Sequence, residues 1–257
     1  MKKKEIYYFS PDEKDEFVTP PKKIKRINGD YVYMHNNLFV KLLSFVAYWM
    51  IAMPIAFIYA RLIRRIRFVN RSALKAYRRT GFFAYANHTH SFSDAFTPSL
   101  LLSPKRNFTI VNAANVSLPV LGEATKLLGA LPLPDDMSSS KNFLKAVETV
   151  INRGHCVLIY PEAHIWPFYT RIRNFDDKSF VYPARFETPV FAITTTYQRT
   201  KRGYRTIIYV DGPFETPPHL DRKAKQLYLH KSVISAMKKR AELSNYEKHL
   251  YVLKEEL

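Results

Sequence analysis

The chain holds one cysteine, Cys156, in 257 residues, which excludes an intrachain disulfide framework and suits a reducing compartment. Cys156 sits in the apolar run 156–160, the setting of a buried strand residue. Glycine is scarce, at 7, and no Ser/Gly-rich or Pro-rich linker divides the chain, so one catalytic-sized domain with a decorated N-terminus is expected rather than two domains. A Gly-x-Ser-x-Gly elbow and a phosphate-cradling glycine loop are both absent, which argues against a serine hydrolase and a P-loop enzyme. His155, His164 and His219 have no metal-ligand spacing with cysteines or carboxylates, so no metal is expected. Acidic residues are in deficit: Asp+Glu 22 against Lys+Arg 40 leaves a net charge of +18. Such a field attracts polyanions, either nucleic acid or an anionic leaflet. No recognition helix with base-reading residues and no nucleic-acid module accompanies it, so nucleic acid is not an expected partner. There is no internal repeat and no low-complexity block.

What the chain does have begins with a charged, irregular arm over residues 1–37: Lys2-Lys3-Lys4, then 11–16, then Pro20-Pro21 followed by Lys22, Lys23, Lys25 and Arg26. This composition predicts a poorly packed segment. Residues 42–60 then carry no charge, about the ~20 residues a hydrocarbon core requires. The run starts too far from Met1 for an ordinary cleaved signal peptide and has no small-residue cleavage pattern after it, so it should stay in the mature protein. Pro54 interrupts it, Lys41 precedes it, and Arg61, Arg64, Arg65 and Arg67 follow. A kinked single span, a helical wedge in one leaflet and a buried core helix all fit, and Tyr48, Trp49 and Tyr59 serve as interface anchors or as core aromatics. The membrane readings make residues 38–68 a membrane-associated helical segment. The arginines then meet anionic head groups and keep residues 61–257 on the cytoplasmic face of the cell membrane.

After residue 70 short apolar runs alternate with helical segments, the pattern of an α/β domain with a central mixed, mostly parallel sheet flanked by helices. Strands are expected at 82–86, 108–111, 156–160, 190–196 and 206–210, and helices at 94–102, 120–128 and 140–153. Ser139 or Ser140 is the expected N-cap of the last, and Gly154 its stop. Residues 221–243 read as a basic amphipathic helix with Leu227, Val233, Ile234 and Met237 on its apolar stripe.

His88 and Asp94 fall where the strand at 82–86 runs into a helix, at the carboxyl edge where α/β sites are built. A histidine can take a proton from a hydroxyl while a carboxylate on its other ring nitrogen fixes the tautomer and stabilises the imidazolium. Such a pair activates an acceptor alcohol without a serine nucleophile. Thr89, His90, Ser91 and Ser93 crowd the same loop, and Ser91 or Ser93 is a candidate helix cap.

Four features in order, Asn87-His88 to Asp94, Gly129-Ala130-Leu131-Pro132-Leu133, Tyr160-Pro161-Glu162 and Thr188-Pro189-Val190, resemble the glycerolipid acyltransferase superfamily of the lysophosphatidic acid acyltransferase type. The resemblance spans residues 70–215 and makes 69–257 the expected catalytic domain. It implies an O-acyltransferase of phospholipid biosynthesis that moves a fatty acyl chain from acyl carrier protein or a coenzyme A thioester to the hydroxyl of a lysophospholipid. No cofactor is then expected, and the partners are membrane lipids and the anionic donor carrier. His88 is implied as general base, Asp94 as its orienting acid and Glu162 as a residue that organises the acceptor.

The match departs from the family pattern at three places. His88 and Asp94 are separated by one residue more than usual, so that either the loop absorbs it or the pair is His90 and Asp94, four apart on one helical face. Gly129–Leu133 is followed by Pro134, Asp135 and Asp136 where the family has an arginine. Pro161-Glu162 is followed by Ala163, His164 and Ile165 where it has Gly-Thr-Arg. Arg171 and Arg173 are the candidates to grip an anionic acceptor instead, with Lys178 behind them; each is equally placed to be a head-group contact or a surface charge. Trp166, Phe168, Tyr169, Phe175 and Phe180 either line a lipid path or pack a core, and Glu162 has a second reading as a strand-end carboxylate paired with a cation. The lost arginines leave one alternative of another class, a membrane-associated lipid-binding protein that keeps the fold without catalysis.

Overall fold

The five apolar runs expected to be strands all enter one sheet. The computed structural model describes residues 4–18, 23–118 and 121–254. Lys2, Lys3, Pro20, Pro21, Lys22 and Val120, which figured in the sequence reading, lie outside the described residues. Among the described residues the strands are Ile6–Phe9 (β1), Arg67–Val69 (β2), Phe82–Ala86 (β3), Asn107–Val111 (β4), Ala130–Pro132 (β5), Cys156–Ile159 (β6), Val190–Thr200 (β7), Gly203–Phe214 (β8) and Leu250–Leu253 (β9). Seven of them form a sheet in the order β2-β8-β7-β3-β6-β4-β5. Every neighbouring pair is parallel except the β7–β8 hairpin.

The central strands read as unbroken apolar runs because both faces are covered: β3 and β6 are buried at every position. Successive side chains point to opposite faces. Phe83, Tyr85, Val157 and Ile159 pack under helices Met137–Asn152 and Arg222–Ala241 through Phe143, Val147, Leu229, Val233 and Met237. Phe82, Ala84, Cys156, Leu158 and Phe191 pack on the other face under Leu101 of helix Ser91–Leu102 and under Ala56 and Ala60. The mixed, mostly parallel sheet flanked by helices is thus observed.

Local signals shift some boundaries. Asp136, rather than Ser139 or Ser140, caps Met137–Asn152: its Oδ1 accepts from Ser139 N at 2.7 Å while Ser139 Oγ accepts from Asp136 N at 3.1 Å. A carboxylate at the positive helix end outranks a hydroxyl there. Gly154, at φ +73, ends the segment as expected. In Arg222–Ala241 the buried stripe runs through Leu229, Val233 and Met237, and Leu227 faces outward at 39% exposure.

The apolar run folds as one unbroken helix, Leu38–Ile63. Pro54 does not break it, because the preceding segment Val46–Ala52 is wound with wider i→i+5 turns, Met53 N donating to Tyr48 O. Those turns relieve the clash a proline ring makes with the preceding carbonyl. Both ends of the helix touch the domain. Ser44 Oγ donates to Leu127 O near one edge of the sheet, and Tyr59 reaches His90 and Phe92 beyond its central strand. Only the stripe Tyr48, Ala56 and Ala60 is buried, whereas Leu38, Phe39, Leu42, Met50, Leu62 and Ile63 are all exposed above half their surface.

The arm is not poorly packed over residues 4–18. β1 pairs in parallel with β9, and Phe9 and Phe17 pack against Trp166, itself stacked on Tyr251 at 5.2 Å. The aromatics interleaved among the charges supply the apolar surface that the average composition hides.

Candidate active site

The two parts of the expected dyad come from the carboxyl end of β3, His88 from the loop that follows it and Asp94 from the first turn of helix Ser91–Leu102. His88 Nδ1 is 2.9 Å from Asp94 Oδ2. The extra residue of the loop is absorbed by main-chain bonds, Thr89 N and His90 N donating to the same Oδ2 at 2.8 and 2.9 Å. A carboxylate oxygen only accepts, so the bond places the His88 proton on Nδ1 and leaves the Nε2 lone pair free. The His88 side chain keeps 17% exposure and Asp94 6%.

His90 is excluded as the base by its own bonds. It caps helix Ser91–Leu102, its Nδ1 accepting from Ser93 N at 3.3 Å, so neither Ser91 nor Ser93 is the cap. Its Nε2 faces Tyr59 Oη at 3.5 Å. Burial, aided by the Arg64 and Lys248 charges and opposed by Asp94, pulls the His90 pKa below the usual imidazole value.

Three motif residues hold the dyad in place through their own contacts. The Asn87 side chain pairs with both main-chain groups of Thr195 on β7, at 3.0 and 2.8 Å, locking the His88 loop to the sheet. The Tyr160 ring stacks on the His88 imidazole at 4.2 Å and its hydroxyl donates to Asp94 O at 2.7 Å, a role its motif position alone does not disclose. Glu162 Oε2 accepts from His88 N at 3.0 Å and its Oε1 from Arg173 N at 2.9 Å. The loop after β6 grips the same peptides, Trp166 N donating to His88 O and Phe168 N to Thr89 O.

These bonds correct two expectations. Arg173 is 1% exposed; its guanidinium lies 3.6 Å from Glu162 Oε2, binds the carbonyls of His164 and Glu13, and sits over the Trp166 ring. It therefore does not meet an acceptor's phosphate, because Glu162 and the clasp of β1 and β9 enclose it. Glu162 is the carboxylate of a buried pair that holds the His88 loop and Arg173 in place, the second of its two sequence readings. Burial raises its pKa above the ordinary carboxylate range, against the Arg173 charge and the two amide donors. Trp166, Phe168, Tyr169 and Phe180 are buried core residues and not a lipid path. Arg171 is exposed and pairs with no carboxylate among the described residues.

The departures from the motif acquire structural reasons. Ala163, in the place of a glycine, keeps a left-handed φ of +62, strain on the order of 1 kcal/mol for a non-glycine residue. Where an arginine is missing, Asp135 Oδ2 accepts from Ile27 N at 2.6 Å and Asp136 caps a helix. Gly129 itself is required: its φ is +98 and a Cβ would come within 2.9 Å of Asn107 O. Among the described residues no cluster of three metal-ligating side chains occurs.

A histidine held by an acid at the carboxyl edge of a mostly parallel sheet is the arrangement that the sequence resemblance leads one to expect. Residues 43–213, most of the chain, match the family model described as Acyltransferase, and the chain belongs to that family. Among solved structures it is similar to the 1-acyl-sn-glycerophosphate (LPA) acyltransferase PlsC of Thermotoga maritima, with a TM-score of 0.54 at 14% identity over 79% of this chain and 86% of that one. At that identity the likeness is one of fold. No curated protein sequence matches.

Proposed function

We propose that the protein transfers a fatty acyl chain from an acyl carrier protein or coenzyme A thioester to the hydroxyl of a lysophospholipid of the 1-acylglycerol-3-phosphate type, in phospholipid biosynthesis. The observation that carries this reading is a partly exposed imidazole whose Nε2 has no hydrogen-bond partner among the described residues and whose other nitrogen is held 2.9 Å from Asp94. His88 Nε2 takes the hydroxyl proton as the oxygen attacks the thioester carbonyl. The C–S bond then breaks, and the departing thiolate leaves as the thiol with the proton from His88, which regenerates the neutral base. Asp94 stabilises the imidazolium between the two transfers.

Residues 69–257 act as the catalytic domain and 38–68 as its membrane-associated segment. A helix touching the domain at both ends, with its outer face apolar along its length, supports insertion into one leaflet rather than a span projecting away from the domain. The excess of cations supports placement on the anionic cytoplasmic face of the cell membrane and encounter with an anionic donor carrier.

Protein reconstituted on anionic vesicles and given acyl-coenzyme A or acyl-carrier protein with 1-acylglycerol-3-phosphate is expected to release free thiol in step with a diacyl product. Lipid binding without turnover, with either donor and across a broad acceptor panel, would instead establish the non-catalytic alternative.

A further inference from the structure

We infer that Arg64 and Lys248 form an anion site beside the dyad that takes the phosphate monoester of the acceptor lipid, an inference that rests on the acyl-transfer reading above. The positions from which arginines are missing are filled by residues with other tasks, and Arg173 is enclosed with Glu162, which leaves exposed Arg171 and cations outside the motifs to meet the acceptor's charge.

Lys248 stands one aromatic ring away from the His88 loop and Arg64 two. Phe168, whose N–H binds Thr89 O, has its ring 5.2 Å from that of His90 and 5.7 Å from that of Tyr204. Lys248 Nζ sits 3.9 Å from the centre of the Phe168 ring. Arg64, the first residue after the apolar helix, lies over Tyr204 at 5.1 Å and donates to its hydroxyl, which fixes an otherwise flexible guanidinium.

Neither cation pairs with a carboxylate among the described residues. The acidic groups in range are Asp94, whose Oδ2 already accepts three hydrogen bonds, and Glu5, which lies 3.2 Å from His249 Nδ1. Arg64 and partial burial together lower the Lys248 pKa, and both cations lower that of His90. Like charges on neighbouring rings without a counter-ion leave a positive potential that an incoming dianion relieves.

The surroundings suit an amphiphile. Arg64, though not Lys248, lines an open groove of about 650 Å3 together with Ile63, Arg65, Arg202, Tyr204 and Tyr246. The groove begins where the exposed apolar face of the helix ends, at Leu62 and Ile63. A lipid with its chain along that face brings its phosphate to Arg64 and its glycerol toward His88. The sequence places these two residues 184 positions apart, by 248 − 64, which is why no local motif reveals them.

The test uses full-length protein carrying Arg64→Gln, Lys248→Gln or both, with glycerol 3-phosphate as the probe and acyl transfer as the second readout. Wild-type protein binds glycerol 3-phosphate in calorimetry, and each substitution weakens that binding about tenfold, as loss of one charge-assisted contact to phosphate should. In the transfer assay KM for 1-acylglycerol-3-phosphate rises by a similar factor, and the preference for it over unphosphorylated monoacylglycerol collapses. The Arg64→Lys variant recovers part of the loss, which a merely misfolded protein would not. A rise in KM confined to the acyl thioester would overturn the assignment in favour of the donor's phosphates, and loss of vesicle binding with unaltered acceptor preference would assign the cations to bilayer head groups instead. The binding measurement needs no turnover. Its absence in the wild type overturns the site while leaving the reaction standing, and its presence in a protein that transfers no acyl group keeps the site while removing the reaction.

Discussion

His88→Ala lowers kcat by about two to four orders of magnitude while leaving the fold intact, the range contributed by one positioned general base. The substitution removes the Nε2 lone pair, and no second group replaces it: His90 Nδ1 is occupied by Ser93 N and its Nε2 is turned to Tyr59. The loop itself should survive, since what holds residue 88 is its main chain, with N–H bonded to Glu162 and C=O to Trp166 N. Asp94 keeps two amide donors in the variant. Thiol release under saturating substrates and a thermal unfolding curve, measured on the same preparation, separate the two effects. Unaltered turnover would remove His88 from the mechanism.

Arg173→Met is expected to destabilise the protein by about 3–5 kcal/mol, because it leaves the Glu162 carboxylate buried without its cation. The loss comes mainly from the stranded charge, so the double variant Arg173→Met with Glu162→Gln should recover part of it in urea titrations. The pH dependence follows from the raised Glu162 pKa. A carboxyl whose folded pKa exceeds its unfolded one favours the fold when protonated, and that contribution is lost as pH rises from the unfolded value through the folded one. The deficit of Arg173→Met relative to wild type therefore shrinks as pH falls and Glu162 becomes protonated in the fold, and grows as pH rises. A deficit that ignores pH would show that the arginine acts by packing on Trp166 alone.

The pairing of His88 with Asp94 was legible because one lies in the loop at a strand end and the other in the first turn of the helix that follows, where six positions of sequence keep them within reach. The core strands were legible for a related reason: burial on both faces writes an uninterrupted apolar run, as at Phe82–Ala86. What stayed hidden depends on partners far along the chain. β1 and β9 bring the two chain ends together as a parallel pair, and nothing in either segment names the other. Arg173 looked free because its charge was visible and its enclosure by Trp166, Glu13 and Glu162 was not. The N-cap at Asp136 was misplaced onto neighbouring serines, since several cap-competent residues in a row differ only in backbone geometry.

The central claim is that Asp94 fixes His88 with its proton on Nδ1 and its lone pair on Nε2. Nitrogen-15 spectra of histidine-labelled protein, assigned with His88→Ala and recorded where the imidazole is neutral, report the tautomer directly. The account predicts an Nδ1–H, Nε2-bare ring in the wild type and a mixture of tautomers in Asp94→Asn. A wild-type His88 with its proton on Nε2 would contradict it.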